Sequence, residues 1–307
     1  MNANSKLKKN SAYLNRKKYL YILLIPCVVY FIVFHYIPMY GIIIAFKDFD
    51  FSKGIIGSPW IGFENFKYMF RLDDFYSVFK NSISLSLLRL IFGFPMPVLL
   101  ALMINEISHL RMKKTIQTLI YLPHFISWIV IGGILVNFLS PSWGVVNEII
   151  KSLGMEPIFF MAKPNLFRPI VILSSIWKEA GWGTILYLAA ITSINPELYE
   201  AAVIDGANRF QRLISITFPS ILGTVLTLFI LRTGTIMNNG FEQILVLQNS
   251  QNLQVSEVFE TYTYRNGIIG GRFSFATTVG LFTSVIGMVM IVLTNKLSKI
   301  FGEEGIW

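Results

Sequence analysis

The residues that could carry out chemistry in this sequence are few and widely separated. The three histidines, His35, His109 and His124, lack the spacing of a metal site, and the single cysteine, Cys27, lies inside an apolar run. Metal sites and nucleophile–base pairs need several such groups at defined positions. No phosphate-binding loop of the P-loop type occurs in the chain. The sequence therefore predicts neither a catalytic centre nor a nucleotide-binding site.

Four charged side chains fall within long apolar stretches instead: Arg89, Lys178, Glu179 and Arg232. A charge near the centre of a bilayer costs about 2.5–3.5 kcal/mol on insertion scales, so such residues are candidates for function. Lys178 and Glu179 are adjacent and point about 100° apart on a helix, so they do not simply pair with each other. Each charge can face a pathway, or it can be an interhelical pair or a snorkelling side chain.

The apolar stretches themselves indicate a membrane protein. Of the 307 residues, 54% are hydrophobic and 14% are charged, whereas a soluble domain carries about 25% charged residues. The net charge of +9 comes from a basic tail and short loops, with no basic stripe of the kind that binds nucleic acid. The first apolar run is longer than the 7–15 residues, roughly, of a signal peptide, which predicts a retained helix.

Six apolar stretches are long enough to cross a bilayer, which takes about 20 helical residues. Their internal prolines are tolerated because neighbouring helices can bond the freed carbonyls. We therefore predict an all-α polytopic membrane protein, with a basic cytoplasmic tail at 1–18 and a single transmembrane domain at 19–307. The predicted spans are 19–46, 82–104, 116–139, 169–193, 216–237 and 276–298.

The lysines and arginines orient these spans. They are concentrated in the tail and in the loops after the second and fourth spans, whereas the alternate loops are longer and balance their basic residues with acids. An excess of lysine and arginine marks the cytoplasmic side. Both termini are therefore predicted to be cytoplasmic.

The predicted cytoplasmic loop at 195–219, between the fourth and fifth spans, has a distinct pattern. Asn195 can cap a helix whose first position is Pro196, and the Glu-Ala-Ala at 200–202 favours helix and leaves a small surface that another chain can approach. Gly206 permits a left-handed helix end. We predict a short helix, a turn and a second helix.

This loop resembles the EAA loop of ABC importer permeases, in which Glu-Ala-Ala is followed by a glycine and then by Ile-x-Leu-Pro. The corresponding later positions are Ile216 and Pro219, with Phe218 where the family usually has leucine. The resemblance implies that the loop is a coupling helix that docks in a groove of an ATPase subunit. It assigns docking to Glu200, Ala201, Ala202, Asp205, Gly206 and Arg209.

Further segments resemble the permeases for complex carbohydrates within the maltose-type importers: 35–49, 94–97, 121–125, 177–183, 240–245 and 302–307. The resemblance implies the transmembrane domain of a type I ABC importer in a bacterial cell membrane, carrying an oligosaccharide inward. It also implies a second homologous permease, two ATPase subunits that bind ATP and Mg²⁺, and an extracellular solute-binding lipoprotein. No cofactor is expected on this chain, and its remaining contacts are with membrane lipid.

A sugar pathway needs aromatic faces and side chains that bond to hydroxyl groups. The fourth span and the segment after the fifth supply such groups, and the resemblance places a translocation path near them. Their aromatic members can equally pack against neighbouring helices or lie at a membrane interface. The candidates are Trp177, Glu179, Trp182, Tyr187, Asn239, Glu242 and Gln243.

Two other classes of membrane protein compete with an importer permease. A secondary transporter of a small polar solute, driven by an ion, needs inverted repeats and a buried carboxylate in a broken helix, and no clear repeat is visible. A membrane-embedded enzyme needs a metal cluster or a nucleophile–base pair, for which His124 beside Pro123 is the only hint. A bound ATPase subunit distinguishes the importer from both.

Overall fold

The computed structural model describes residues 17–300, and this part of the chain is helical, with one isolated β-bridge between Lys47 and Trp60. Most of the predicted basic tail and the C-terminal segment at 302–307 lie outside the described residues. The principal helices are α1 Lys18–Phe46, α2 Glu64–Arg71, α3 Asp73–Asn105, α4 Leu110–Phe125, α5 Trp128–Phe138, α6 Val145–Ser152, α7 Pro164–Thr192, α8 Pro196–Ile204, α9 Arg209–Gly234, α10 Phe241–Leu247, α11 Phe259–Thr263 and α12 Phe273–Ile300.

Within residues 17–300, four helices are long and apolar enough to cross a membrane: α1, α3, α9 and α12. The pair α4–α5 meets the same criteria as one unit, although its two halves are bent by 97°. Helix α7 is 29 residues long but is not among them, because Lys178 and Glu179 lower the hydropathy of its second half. The sequence and the helices therefore agree on an apolar helical architecture.

The core lies where α7 packs against α3, α4, α9 and the turn at Leu253–Ser256 after α10. One apolar cluster joins α3 and α7 to α10, and a second joins α3, α7 and α9 around Tyr187 and Ile221. Gly181 of α7 lies directly on the backbone of Ile120 in α4, so that an added Cβ would stand 1.9 Å from the Ile120 carbonyl oxygen. Glycine permits this close approach.

Helix α1 has the opposite character, because none of its most apolar 18-residue window is buried within the chain. Pro26 lies inside the helix and Pro38 follows a π-helical turn at Ile32–Tyr36. A helix that is apolar on all sides and unburied in its own chain needs an apolar environment. In a membrane, lipid and neighbouring subunits provide it.

Candidate functional site

A cleft of about 430 Å³ opens between α3, α5, α7, α9 and the start of α10. On α7 its lining runs from Ser175 to Tyr187, about 18 Å of helix at the usual rise per residue. The charged and polar residues at its walls, together with one tryptophan, are Arg89, Trp128, Ser175, Glu179, Tyr187, Arg232, Asn238 and Gln243. This arrangement combines aromatic faces with hydrogen-bonding groups in one concave surface.

Arg89 is placed in the cleft by a local irregularity of α3. The helix widens to a π-turn over Arg89–Gly93, directly before Pro95. A proline lacks the N–H that would continue the α-helical ladder, and π-turns are frequent at functional sites. The guanidinium donates through Nη2 to the Asn239 carbonyl at 2.8 Å and to Gln243 Oε1 at 2.5 Å.

Gln243 and Asn239 hold this arginine in place. The Gln243 amide nitrogen donates to the Val171 carbonyl at 2.8 Å and to Ser174 Oγ at 2.9 Å, so both ends of its amide are bonded within the protein. Asn239 is fully buried, and its side-chain nitrogen donates to the carbonyls of Ser82 and Met237. Both residues were predicted as sugar contacts, and both are engaged in positioning Arg89.

The structure places only some of the other predicted pathway residues at the cleft. Glu179 and Tyr187 line the cleft, whereas Trp177, Trp182 and Glu242 do not. Trp177 is 56% exposed, and Trp182 stacks on the His124 ring with centroids 4.5 Å apart. Among the polar and aromatic lining residues, Trp128 and Ser175 are ones that the sequence analysis did not select. Arg89 and Arg232 were recognised only as charges within apolar stretches.

Lys178 and Glu179 both reach the bend between α4 and α5. The Lys178 amine is 5% exposed, donates to the carbonyls of His124 at 2.5 Å and Pro123 at 3.4 Å, and lies 5.6 Å from the Trp128 ring centroid. Glu179 Oε2 lies 2.9 Å from His124 Nδ1. Lys178 and Glu179 approach to 3.8 Å through their long side chains, but their shorter contacts are with the bend.

A second surface of note is the segment from α8 to α9. Asn195 accepts a hydrogen bond from the Glu197 amide at 3.1 Å, and Pro196 occupies the first helical turn, as the sequence predicts. Helix α8 ends with Gly206 at φ +80°, where the Ala207 amide bonds to the Ala202 carbonyl at 2.8 Å. This is the bonding pattern of a Schellman helix end, which favours glycine.

The residues assigned to docking form an accessible surface there. Glu200, Ala201, Asp205, Gly206 and Arg209 are exposed, and Ala202 is partly exposed. Two large apolar side chains stand beside them in solvent, Ile204 at 86% and Phe210 at 70% exposure. Exposed apolar residues rimmed by charges are typical of an interaction surface.

A side-chain hydrogen bond joins this surface to helix α9. The Tyr199 hydroxyl of α8 lies 2.8 Å from Thr217 Oγ1 in α9, and Asn208 and Gln211 form a reciprocal capping box at the start of α9. The Tyr199–Thr217 contact thus joins α8 to α9, the helix that carries Arg232 in the cleft.

A family model described as "Binding-protein-dependent transport system inner membrane component" matches residues 93–302, which include both the cleft and the α8–α9 segment. The chain belongs to this family. It is accordingly a membrane-embedded permease subunit of an ABC importer, a family whose members work with solute-binding proteins and ATPases.

Two curated relatives from Bacillus subtilis (strain 168) match almost the whole permease. Protein LplB is 46% identical over 296 residues, covering 96% of this chain and 93% of the relative. The polygalacturonan/rhamnogalacturonan transport system permease protein YteP is 44% identical over 292 residues, covering 95% and 91%.

A solved structure confirms the fold. A chain of a bacterial alginate ABC transporter, crystallised with an alginate pentasaccharide-bound periplasmic protein, superposes with a TM-score of 0.88 at 42% identity. The match covers 96% of the permease and 99% of that chain. The predicted type I ABC permease fold is therefore correct.

Replacing Lys178 by methionine is expected to destabilise the permease by about 1.5–3 kcal/mol, the usual value of a hydrogen bond from a charged group. The side chain keeps its length but no longer bonds the Pro123 and His124 carbonyls at the α4–α5 bend. Thermal unfolding of the purified permease, followed by fluorescence, measures the loss.

Lys67 provides the control for this variant. Its amine bonds Glu64 at 2.7 Å on an exposed face of α2 and thereby lowers the pKa of that carboxyl. Exposed ion pairs contribute little to stability, so K67M should unfold at the same temperature as the wild type. Equal unfolding midpoints for K178M and the wild type would contradict the role of Lys178 at the bend.

Proposed function

We propose that this permease is one of two homologous subunits that together form the pathway of an ATP-driven oligosaccharide importer. The observation that carries the proposal is the α8–α9 segment, in which a capped helix, a glycine turn and exposed apolar residues coincide with the Glu-Ala-Ala pattern. Family membership supports an importer rather than an ion-coupled transporter or an enzyme.

In this proposal, α8 is the coupling helix and docks in a groove of an ATPase subunit. The side chains of Glu200, Asp205 and Arg209 form polar contacts at its rim, and Ala201 and Ala202 permit close approach. Ile204 and Phe210 supply buried apolar contacts once the ATPase covers them. ATP and Mg²⁺ bind to two ATPase subunits, and no nucleotide binds to the permease.

The proposed topology has six spans: α1, α3, the bent pair α4–α5, α7, α9 and α12. Helix α7 completes the count because its charged residues face the cleft and the α4–α5 bend rather than lipid, which makes a span of lower hydropathy acceptable. In the proposed orientation both termini and α8 lie in the cytoplasm, which the excess of lysine and arginine on that side supports.

The proposed cargo is an oligosaccharide delivered by an extracellular solute-binding lipoprotein. One relative is named for the transport of polygalacturonan and rhamnogalacturonan, and the similar solved transporter for alginate; all three are complex carbohydrates. The cleft supplies an aromatic ring, that of Trp128, and an exposed hydrogen-bonding side chain, that of Asn238. Membrane lipid surrounds the remaining apolar surface.

The proposal predicts ATP-dependent uptake of an oligosaccharide into proteoliposomes that contain both permeases, the ATPases and the loaded binding protein. Uptake should require ATP and Mg²⁺ and should persist when ionophores collapse all ion gradients. A variant of the ATPase that cannot hydrolyse ATP is the control. Uptake by the permease alone, driven by an ion gradient, would overturn the proposal.

A further inference from the structure

The charges at the cleft do not balance. Arg89 enters from α3 and Arg232 from α9, whereas Glu179 is the one carboxylate among the residues that line the cleft. Lys178 adds no charge to the lining, since its amine is turned to the carbonyls at the α4–α5 bend. Glu260 lies outside this lining, where its carboxylate accepts from the Asn239 amide and its charge acts on Arg89. The lining itself therefore presents an excess of positive charge.

Glu179 does not neutralise either arginine by direct contact. Its carboxylate is bonded to His124 and approaches Lys178. Within residues 17–300, the guanidinium of Arg232 makes no hydrogen bond and no ion pair, and the residue is exposed where it lines the cleft. Arg232 is thus a cation at the cleft without an ion pair in the described part of its chain, although the charge of Glu179 acts on it from a distance.

Arg89 is a preorganised donor. Its Nη2 is bonded to Asn239 and Gln243, while its Nε is buried and bonded to nothing in the described part of the chain. A buried polar group without a partner costs free energy. Both ends of the Gln243 amide are bonded within the protein, the oxygen to Arg89, so this amide is not available to a ligand in the cleft. The fold therefore holds the Arg89 guanidinium in a fixed position, although its unpartnered Nε costs free energy of folding.

We propose that Arg89 and Arg232 bind the carboxylate of an acidic sugar, so that the cargo class is an oligosaccharide of uronic acids. This inference rests on the proposed function. A planar guanidinium matches a carboxylate through two parallel hydrogen bonds, whereas the hydroxyl groups of a neutral sugar are satisfied by serine, asparagine and tyrosine. Trp128 lies at the same cleft and offers a face to the sugar ring.

In this assignment Gln243 is a positioning residue, since it touches the arginine and not the sugar. Shortening it to alanine should free the Arg89 guanidinium while leaving its charge in the cleft. Uptake of an acidic oligosaccharide should then require a higher concentration of loaded binding protein for half-maximal rate, whereas the maximal rate changes little.

The test compares two matched cargoes in the reconstituted transporter. One is a short oligogalacturonide or oligomannuronate, and the other is the same oligosaccharide with its carboxyl groups reduced to alcohols. Both are supplied at concentrations that saturate the binding protein, so that selection occurs in the permease. R89Q and R232Q should lower uptake of the acidic cargo about tenfold, the effect of losing one charge-assisted contact, and should leave uptake of the reduced cargo nearly unchanged.

Two further variants serve as controls. R232K keeps the charge and should retain more acidic uptake than R232Q, although it lacks the planar fork. R168Q removes an arginine that bonds Asn81 away from the cleft, so any effect should be equal for both cargoes. Assembly of each variant with the ATPases, and its ATPase rate without cargo, are measured alongside.

Equal losses for both cargoes in R89Q and R232Q would overturn the inference, because the arginines would then be structural. Wild-type uptake of the reduced cargo in preference to the acidic one would also overturn it. The same holds if the arginine variants affect only a sulfated oligosaccharide, which would indicate another anion. Absence of ATP-dependent uptake for every oligosaccharide would instead contradict the proposed function.

Discussion

Replacing Gly206 by valine is expected to release the ATPase subunits from the permease and to lower ATP-driven uptake about tenfold or more. Gly206 ends α8 with φ +80°, and a residue with a Cβ costs about 1–2 kcal/mol in that region, more when it is β-branched. Nothing in this chain lies within 4 Å of the Cβ position, so within the permease the substitution acts through the backbone. The chain must leave the turn, which displaces α8 from the start of α9.

Copurification of the ATPase with the G206V permease measures docking, and uptake into proteoliposomes measures coupling. The uptake loss should follow the loss of the ATPase, because each 1.4 kcal/mol at the interface is about a factor of ten in affinity. An ATPase that remains bound to G206V with unchanged turnover would contradict the assignment of α8 as the coupling helix.

Gly154 is a closely matched control for Gly206. It ends α6 in the same way, at φ +77° with open space at the Cβ position, and the Met155 amide bonds back to the Ile150 carbonyl as Ala207 does to Ala202. G154V therefore carries a similar backbone strain on the proposed extracellular side. It should keep the ATPase bound, which separates strain from loss of docking.

Replacing Gly181 by alanine is the second change with a large expected effect. The added methyl group would stand 1.9 Å from the Ile120 carbonyl oxygen, which is backbone and cannot rotate away. Helices α7 and α4 must then separate, and overpacking of this kind costs about 1–3 kcal/mol. Since Glu179 and Gly183 on either side line the cleft, uptake should fall together with stability.

Thermal unfolding of the purified complex reports the loss in G181A. Gly133 in α5 is the control, because a methyl group there meets nothing within 4 Å and alanine favours helix by about 1 kcal/mol over glycine. G133A should unfold at or slightly above the wild-type temperature. If G181A proves as stable as G133A, α7 and α4 do not pack as closely as described.

Contacts of Lys178 and Glu179 link the cleft to the bend between α4 and α5. Glu179 lines the cleft and bonds His124, and Lys178 bonds the carbonyls of Pro123 and His124. Glu179 therefore connects the cleft to the segment that joins α4 to α5. Lys178 and Glu179 thus both contact the bend between α4 and α5, the first through backbone carbonyls and the second through the His124 ring.

The sequence by itself determined the class of the protein. Bilayer-length apolar stretches and a deficit of charge are local properties of the chain, and so is the Glu-Ala-Ala pattern with its capping asparagine and turn glycine. The type I permease fold and the importer family, which the motifs predicted by resemblance, are confirmed. The same local signals explain why the helices of the apolar stretches could be predicted while their ends could not. For example, α3 begins at Asp73 rather than at 82, since its first turns are polar.

The tertiary structure alone decided which side chains share the cleft. Gln243 and Asn239 have the composition of sugar-binding residues, yet their hydrogen bonds go to Arg89 and to buried carbonyls. Arg89 and Arg232 are 143 positions apart and meet at one surface only because α3 and α9 both pack on α7. Hydropathy measures the preference of a segment for lipid and contains no information about which face of a helix meets which partner. That choice depends on side-chain packing between distant segments, and it placed the unbalanced arginines at the cleft.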